Sequence, residues 1–311
     1  MISEEHSPEQ LLRNAQRAEE AGFKFAMLSD HFHPWISRQG NSAFAWSILG
    51  ALSQVTNQMR FATGVTCPIM RYHPAIVAQA AATMAVMMPN RFSLGLGTGE
   101  NLNEHIVGAG WPDFDVRASM LEEAVKIIRM LWEGGVQTYY GDYYTIENAR
   151  LYTLPQQPSE ILIAASGPNA AELAGEIGDG LITTSPKPEI INAFKSASNH
   201  KNPPCYAYVT ACYAEDETKA TKFVVEQWPI AGLPGELDQE LRTPKHFEQA
   251  AQLVTEEAVA KTVLIGNDPE PHIKRIQQIK DLGINKVYIH QIGPDQEGFM
   301  TFYQKEIMPH F

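Results

Sequence analysis

Short apolar segments alternate with longer amphipathic segments along nearly the whole 311-residue chain. The apolar segments have the length of buried strands, and the amphipathic segments have the length and periodicity of helices. This alternation is typical of a parallel sheet whose strands are joined by helical crossovers, so it predicts the α/β fold class. The length is compatible with one large α/β barrel or with two ordinary domains.

The periodicity predicts the bounds of most elements. The predicted strands are 23–28, 60–67, 91–97, 161–166, 180–185, 206–213 and 286–292. The predicted helices are 8–21, 43–55, 74–88, 117–132, 169–177, 188–197, 271–282 and 297–308. Two segments interrupt the alternation, at about 134–157 and 226–258, and we expect them to be insertions in the loops that close over a ligand.

An eight-stranded barrel should begin with a strand before the first helix. Only residues 1–7 precede that helix, and of these Met1 and Ile2 are apolar. We therefore expect the first strand to be truncated, which would leave an unpaired sheet edge.

Composition excludes several functional classes. A net charge of −12 without a local basic stripe argues against nucleic acid as a partner. Cys67, Cys205 and Cys212 lack the spacing of a zinc site or a disulfide framework, so no metal is expected and the cysteines are predicted to be buried. No apolar run is long enough to span a membrane, and the first residues do not form a secretory signal, which predicts a cytoplasmic protein.

Ser29-Asp30-His31-Phe32-His33-Pro34-Trp35 follows the first predicted strand directly. Active sites of parallel barrels are built at the carboxyl ends of strands. An acid and an imidazole at such an end form a candidate acid/base pair beside an aromatic wall. The alternative is a polar turn whose histidines are merely solvated.

A second candidate is the glycine-rich segment 94–103, in which Glu100 follows Gly95, Gly97 and Gly99. Glycines allow backbone amides to approach a cofactor closely, and the acid stands at the end of a strand. The spacing lacks the interval of a dinucleotide-binding fingerprint. The alternative is a simple tight turn.

Three further strand ends carry small or hydroxyl-bearing residues, in the segments 63–68, 164–169 and 184–187. In a parallel barrel such ends converge on one face. The sequence therefore predicts a pocket that contains His31, Glu100 and Trp35, with backbone amides around a flat, phosphorylated ligand.

The segments 29–35, 71–80, 90–104 and 177–180 resemble the luciferase-like monooxygenase superfamily, and in particular its deazaflavin-dependent branch. That branch contains the F420-dependent glucose-6-phosphate dehydrogenases. The resemblance implies a single domain over residues 1–311 with the fold of a TIM-type (β/α)8 barrel with insertions. It also implies a homodimer that transfers a hydride to or from C5 of coenzyme F420.

The resemblance also implies roles for individual residues. His31 and Glu100 correspond to the acid/base pair, and Trp35 to the aromatic residue beside the substrate. Cofactor contacts are implied for Asp30, Gly64, Val65, Cys67, Thr98, Gly99, Asn103, Ser166 and Gly167, with a cis peptide bond between Gly64 and Val65. Substrate contacts are implied for Glu4, Thr184 and Lys187.

The substrate pocket departs from that of the glucose-6-phosphate dehydrogenases. Asp238 and Thr262 replace two of the basic residues that hold the sugar phosphate in that group. A carboxylate facing a phosphate would repel it by about 1 kcal/mol or more. We therefore expect a small neutral alcohol, carbonyl compound or sugar derivative, and not glucose 6-phosphate, as the small-molecule substrate.

The sequence thus predicts an F420-dependent oxidoreductase, either a dehydrogenase or a reductase. One alternative on the same fold is an FMN-dependent monooxygenase, in which reduced FMN activates dioxygen. A further alternative, from another class, is a non-catalytic cofactor-binding protein.

Overall fold

The computed structural model describes residues 2–311 and shows a parallel sheet surrounded by helices. The strands are β1 Phe25–Leu28, β2 Arg60–Thr63, β3 Phe92–Leu96, β4 Gln137–Tyr140, β5 Thr145–Ala149, β6 Ile161–Ala164, β7 Gly180–Thr183, β8 Cys205–Cys212, β9 Val263–Ile265 and β10 Lys286–Gln291. The α-helices are α1 Pro8–Glu20, α2 Ala45–Val55, α3 Pro74–Met87, α4 Asn101–Glu104, α5 Phe114–Trp132, α6 Pro168–Ile177, α7 Pro188–Ala197, α8 Glu217–Gln227, α9 Leu237–Glu240, α10 Pro244–Ala251, α11 Glu256–Ala260, α12 Pro269–Asp281 and α13 Gln296–Phe302.

The main sheet has the strand order β1-β2-β3-β6-β7-β8-β10, and β9 pairs with the carboxyl-terminal part of β8. All of these pairings are parallel. Because β10 returns to the neighbourhood of β1, the sheet curls nearly closed. The predicted α/β barrel is confirmed.

The barrel stays open between its first and last strands. Within residues 2–311, no ladder of paired strands joins β10 to β1, which is the position of the truncated first strand that we expected. Ser3 lies at this opening, where its backbone N–H donates to Ser29 Oγ at 2.8 Å. Residues that precede α1 therefore contact the segment that follows β1.

The sequence explains why the elements form where they do. Every residue of β3 is buried, as expected for a strand that is covered on both faces. The helices α1, α3, α6, α7 and α12 all begin at a proline, whose missing N–H costs nothing in the first turn. A capping box between Ser7 and Gln10 also fixes the start of α1.

Two apolar clusters hold the barrel together. The larger one fills the space between the sheet and the surrounding helices, and includes Leu49, Leu94 and Phe194. The smaller one fills the barrel interior and includes Met27, Ile182 and Tyr206. Cys67, Cys205 and Cys212 are buried free thiols, as predicted. In the described part of the chain no helix is both long and apolar enough to cross a membrane.

The structure differs from the sequence prediction at several elements. The strand expected over 60–67 ends at Thr63, although Thr66 still forms an isolated parallel bridge with Leu96, and the short strand β9 had no prediction. The helix expected over 297–308 ends at Phe302 and continues as a π turn and a 3-10 turn. These bounds depend on hydrogen-bond partners that hydrophobic periodicity does not report.

The two insertions differ in position. Residues 134–157 contain the antiparallel hairpin β4–β5, a change from the parallel pattern that the sequence did not indicate. This hairpin packs against α5, where Glu123 accepts the backbone N–H of Tyr144 at 2.9 Å. Residues 226–258 instead contribute Trp228, Ile230 and Asp238 to a cavity at the mouth of the barrel.

Candidate active site

The carboxyl ends of the strands open into a cavity of about 620 Å³. Segments that follow β1, β2, β3, β6 and β7 line it, together with β8, β10 and the 226–258 insertion. Cavities of this size hold a cofactor-sized ligand and bury most of its surface. The convergence of strand ends that the sequence predicted is therefore present.

His31 lies between two carboxylates at one side of this cavity. Its Nδ1 is 2.7 Å from Glu4 Oε1, and its Nε2 is 3.2 Å from Glu100 Oε2. The Glu4 side chain is fully buried, whereas 29% of the Glu100 side chain is exposed. His31 thus connects a carboxylate inside the protein to one that faces the cavity.

The two carboxylates decide the charge of the imidazole. Burial lowers the pKa of His31, but Glu100 and Glu4 outweigh burial and raise this pKa well above its ordinary value. Burial raises the pKa of Glu4, but His31 outweighs it, so the pKa of Glu4 is lowered. Both shifts favour an imidazolium that is paired with ionised Glu4.

Short hydrogen bonds hold both carboxylates in place. Ser29 Oγ donates to Glu4 Oε2 at 2.9 Å, and Asn103 Nδ2 donates to Glu100 Oε2 at 2.8 Å. Asn103 Oδ1 also accepts the backbone N–H of Phe32 at 2.9 Å. Because Phe32 follows His31 in the chain, Asn103 fixes the positions of the imidazole and of Glu100 together.

Trp35 forms the aromatic wall beside His31. The two rings are perpendicular, with centroids 5.1 Å apart. Trp35 is buried and also contacts Phe247 and Trp228 of the 226–258 insertion, at centroid distances of 5.2 and 6.5 Å. The insertion therefore packs on Trp35 through Phe247 and also lines the cavity through Trp228.

Asp30 lies next to His31 in the chain but has its own buried partners. Its Oδ2 accepts from Thr66 Oγ1 at 2.6 Å, and its Oδ1 contacts Arg71 Nη2 at 3.2 Å and Tyr72 OH at 3.0 Å. Arg71 also contacts Glu104, with Nε 3.4 Å from Oε1. The carboxylate of Asp30, which was predicted to contact the cofactor, is therefore also part of a buried network of ion pairs and hydrogen bonds.

Backbone without side chains forms another part of the wall. The peptide bond between Gly64 and Val65 is cis, as the resemblance implied. A Cβ on Gly97 would lie 2.8 Å from Val65 Cγ2, and Gly99 has a φ of +80°, so both positions favour glycine. Gly64, Gly97 and Gly99 line the cavity, where the lack of a side chain lets a ligand approach the backbone closely.

The structure brings most of the predicted site residues onto one wall. These are Asp30, His31, Trp35, Gly64, Val65, Cys67, Thr98, Gly99, Glu100, Asn103, Ser166 and Thr184. Gly167 and Lys187 instead occupy the N-terminal caps of α6 and α7, outside this wall. Glu4 lies behind His31, fully buried, so it contacts the imidazole and not the cavity.

Sequence reasoning missed a polar part of the wall on β8 and β10. Tyr208 and Thr210 lie two positions apart on β8, and Tyr288 and His290 lie two positions apart on β10. Side chains two positions apart in a strand share one face, and all four of these residues line the cavity. Period-two spacing of polar residues within an apolar strand was the signal that could have found them. Arg275 and Lys261 also line the cavity, whereas the predicted cation Lys187 does not.

Asp238 and Thr262, which the resemblance implied stand in place of basic residues of the glucose-6-phosphate dehydrogenases, both line the cavity. Burial, with a contribution from Glu100, raises the pKa of Asp238 to about 6. Asp238 is therefore mostly ionised at neutral pH. Its carboxylate adds negative charge to the wall that holds Glu100.

Known proteins resemble this chain over its whole length. A family model described as luciferase-like monooxygenase matches residues 1–286. A relative from Microbacterium testaceum, named F420-dependent glucose-6-phosphate dehydrogenase, is 37% identical over 99% of this chain and 94% of its own length. A relative of the same name from Intrasporangium calvum is 34% identical over 99% of this chain and 96% of its own length.

Solved structures show the same fold. An F420-dependent secondary alcohol dehydrogenase in complex with an F420-acetone adduct has a TM-score of 0.91 and 34% identity, covering 98% of this chain and 96% of its own. A coenzyme F420-dependent tetrahydromethanopterin reductase from Methanopyrus kandleri has a TM-score of 0.80 and 24% identity, covering 100% of this chain and 97% of its own. The second likeness supports the fold alone.

Proposed function

The chain belongs to the luciferase-like monooxygenase family, and we propose that it is an oxidoreductase that depends on coenzyme F420. The observation that carries this proposal is the contact of 3.2 Å between His31 Nε2 and Glu100 Oε2 at the edge of a glycine-lined cavity. The names of the relatives and of the similar alcohol dehydrogenase support the choice of cofactor.

The residues present fit a deazaflavin. Gly64, Val65, Gly97 and Gly99 supply a smooth surface for a flat ring, and the cavity has room for the ring and a small substrate. Thr98, Asn103 and Ser166 line the cavity and would hydrogen-bond the polar parts of the cofactor. When bound, the deazaflavin would accept or give a hydride at C5.

The protein's own residues would then move the proton. His31, as an imidazolium, can protonate the oxygen of a carbonyl substrate, and as a neutral imidazole it can accept the proton of an alcohol. Glu100 is close enough to exchange that proton with His31 directly. Glu4 keeps the imidazole oriented and stabilises its charge, which makes it a positioning residue.

We propose that the substrate is a small uncharged alcohol or carbonyl compound. Glu4, Glu100 and Asp238 contribute negative charge around the imidazolium of His31. The cations Lys261 and Arg275 also line the cavity. A dianionic phosphate placed beside Glu100 and Asp238 would nevertheless be repelled by these two carboxylates, since like charges repel at partly buried separations. The likeness to the secondary alcohol dehydrogenase supports the same substrate class.

The test is to titrate the purified protein with coenzyme F420 and, separately, with FMN. The visible spectrum of the bound cofactor distinguishes the two, and preferential binding of FMN would contradict the proposal. Turnover of a panel of secondary alcohols and ketones with coenzyme F420 then tests the activity. Tight F420 binding without turnover of any member would favour a non-catalytic binding protein.

Replacing His31 tests the assignment of the proton-transfer group. We expect His31→Ala to lower kcat by about 10²–10⁴-fold, the usual contribution of an acid/base group. His33→Ala is the matched control, since His33 lies two residues away and its Nδ1 contacts the backbone oxygen of Leu102. Full activity in a folded His31→Ala variant would remove His31 from the mechanism.

We also propose that the protein is a cytoplasmic homodimer, as the family resemblance implies. Light scattering coupled to size-exclusion chromatography tests the dimer, and cell fractionation tests the location. A monomer at micromolar concentration, or recovery in a membrane or extracellular fraction, would contradict these two statements.

A further inference from the structure

A second chain of hydrogen-bonding groups leads away from the cavity, separate from the His31 pair. Tyr208 OH lies 2.6 Å from His290 Nδ1, and His290 Nε2 lies 3.1 Å from Glu5 Oε2. Tyr208 and His290 line the cavity, whereas Glu5 lies behind them. The arrangement parallels that of Glu100, His31 and Glu4. Its inner carboxylate, Glu5, directly follows Glu4 in the sequence.

The inner end of this chain is inaccessible to solvent. The side chains of His290 and Glu5 are 4% and 3% exposed, and Trp228 packs on His290 at a centroid distance of 4.4 Å. Glu5 Oε1 is buried and has no hydrogen-bond partner in the described part of the chain. Glu4 Oε1 also lacks a hydrogen bond, but it lies 2.7 Å from the charged His31 ring. Among the described residues, the ion-pair contact of Glu5 is with His290 alone, and burial without a cation favours the protonated acid.

Electrostatics point the same way. Burial, together with the neighbouring Glu4, raises the pKa of Glu5 well above its ordinary value. Burial lowers the pKa of His290 to about 3. Among the described residues, the titratable groups around His290 include Glu4, Glu5, His6 and Tyr208, and Glu4 is already paired with His31. Both shifts favour the neutral forms of Glu5 and His290.

The neutral state fixes the direction of every hydrogen bond in the chain. A protonated Glu5 donates to His290 Nε2, so the single imidazole proton must be on Nδ1. Nδ1–H then donates to the oxygen of Tyr208. The hydroxyl proton of Tyr208 is then available to a ligand or to Thr210, whose side chain also hydrogen-bonds Tyr208. An ionised Glu5 would reverse each bond, and Tyr208 would then offer the ligand a lone pair.

We propose that Tyr208 is a hydrogen-bond donor to a carbonyl-type oxygen of the bound ligand, and that buried Glu5 sets this direction through His290. The ligand oxygen can belong to the cofactor ring or to a carbonyl substrate, which share this acceptor chemistry. Tyr208 is then a binding residue for the ligand, while His290 and Glu5 are positioning residues. The ligand part of this inference rests on the proposed function.

The direction of the bonds is tested on the free protein by nitrogen-15 NMR of labelled histidine, with His290→Asn to assign the signal. We expect His290 to be neutral, with its proton on Nδ1. Glu5→Gln should preserve this tautomer, because an amide NH₂ also donates to Nε2. Glu5→Ala should change the His290 signal. A proton on Nε2 in the wild-type protein, or a charged imidazole, would overturn the proposed direction.

The ligand contact is tested with Tyr208→Phe, and the matched control is Tyr288→Phe. Tyr288 lines the same cavity, and its ring centroid lies 5.3 Å from that of Tyr208. Loss of one hydrogen bond should weaken binding by about 3–10-fold. A higher Kd for coenzyme F420 would assign the oxygen to the cofactor, whereas a higher KM for acetone with an unchanged cofactor Kd would assign it to the substrate.

Unchanged values of both constants in Tyr208→Phe would overturn the ligand contact. Failure of the wild-type protein to bind coenzyme F420 is a different result. It would contradict the proposed function and the ligand contact together, while the NMR measurement on the free protein would still decide the direction of the hydrogen bonds.

Discussion

At the scale of single residues, the central feature is an imidazole that is charged because of its surroundings. His31 contacts Glu4 on one side and Glu100 on the other, at 2.7 and 3.2 Å. The two carboxylates outweigh the burial of the ring, so its pKa is raised. In the unfolded chain the same imidazole has a pKa of about 6.5.

This shift predicts how stability depends on pH. Because the folded state binds the proton of His31 more tightly than the unfolded state, the stabilisation is fully present below about pH 6.5. It is lost as the pH rises through the raised pKa of the folded state. We expect the difference in unfolding free energy between the wild-type protein and His31→Asn to shrink with rising pH, as measured by urea unfolding. A difference that grows with pH would contradict the assigned charge.

Asp238 gives a second prediction at this scale, which concerns substrate charge. Asp238→Asn should lower the KM for glucose 6-phosphate by roughly 5–10-fold at neutral pH, since removal of about 1 kcal/mol of repulsion has that effect. The KM for an uncharged alcohol should change little. The effect should shrink as the pH falls through about 6, where Asp238 takes up a proton.

Glu236→Gln is the control for this measurement. It removes a charge from the same insertion, but Glu236 lines a smaller pocket with Trp111 and Arg117 instead of the main cavity. Equal effects of Glu236→Gln and Asp238→Asn would show that net charge, and not the position of Asp238, determines substrate choice.

At the scale of elements, Arg71 joins segments that follow three different strands. It lies in the loop after β2, and its Nη2 donates to the backbone oxygen of Asp30, after β1, at 2.7 Å. Its backbone N–H donates to Glu104, after β3, at 2.8 Å. The side chains of Arg71, Asp30 and Glu104 are nearly inaccessible to solvent. The relative position of these loops therefore depends on one buried cation.

Removing this cation should be costly. Arg71→Ala leaves two buried carboxylates without their partner, so we expect a loss of about 3–5 kcal/mol of unfolding free energy by urea denaturation. The control is Arg38→Ala, because Arg38 and Glu226 form an ion pair of 2.7 Å whose side chains are 55% and 54% exposed. Such exposed pairs contribute about 0–1 kcal/mol. Similar losses in both variants would contradict the structural role of Arg71.

At the scale of the whole molecule, the sheet has a protected centre and less protected edges. β6 is hydrogen-bonded to strands on both sides, β3 and β7. In the described chain β1 pairs with β2, and the opposite edge of β1 faces the opening toward β10. Amides that are hydrogen-bonded within the centre of a sheet open only with the whole core.

This architecture predicts a pattern of hydrogen exchange. In native-state exchange followed by mass spectrometry, amides of β6 should exchange more slowly than those of β1. The peripheral hairpin β4–β5 packs outside the barrel and serves as an internal reference for fast exchange. Protection of β1 equal to that of β6 in a monomeric sample would show that the opening is closed by contacts other than strand pairing.

The sequence determined the sites at which chemistry-bearing residues follow strands. Local periodicity located the strands, and His31, Trp35 and Glu100 lie in the polar segments that follow them. Because a parallel sheet brings all carboxyl ends to one edge, these residues were expected to line one cavity, as they do. The same reasoning missed Tyr208 and His290. These residues lie inside strands and not at strand ends, so the period-two spacing of polar side chains was the local signal that pointed to them.

Only the tertiary structure decided which groups touch. The contacts of Glu4 with His31 and of Glu5 with His290 join residues 27 and 285 positions apart. Likewise, Asp30 forms an ion pair with Arg71, and Glu4 lies behind His31 and does not face the cavity. Charge and pKa depend on burial and on distances of a few ångström between distant segments, and those are properties of the packed chain that local sequence does not contain.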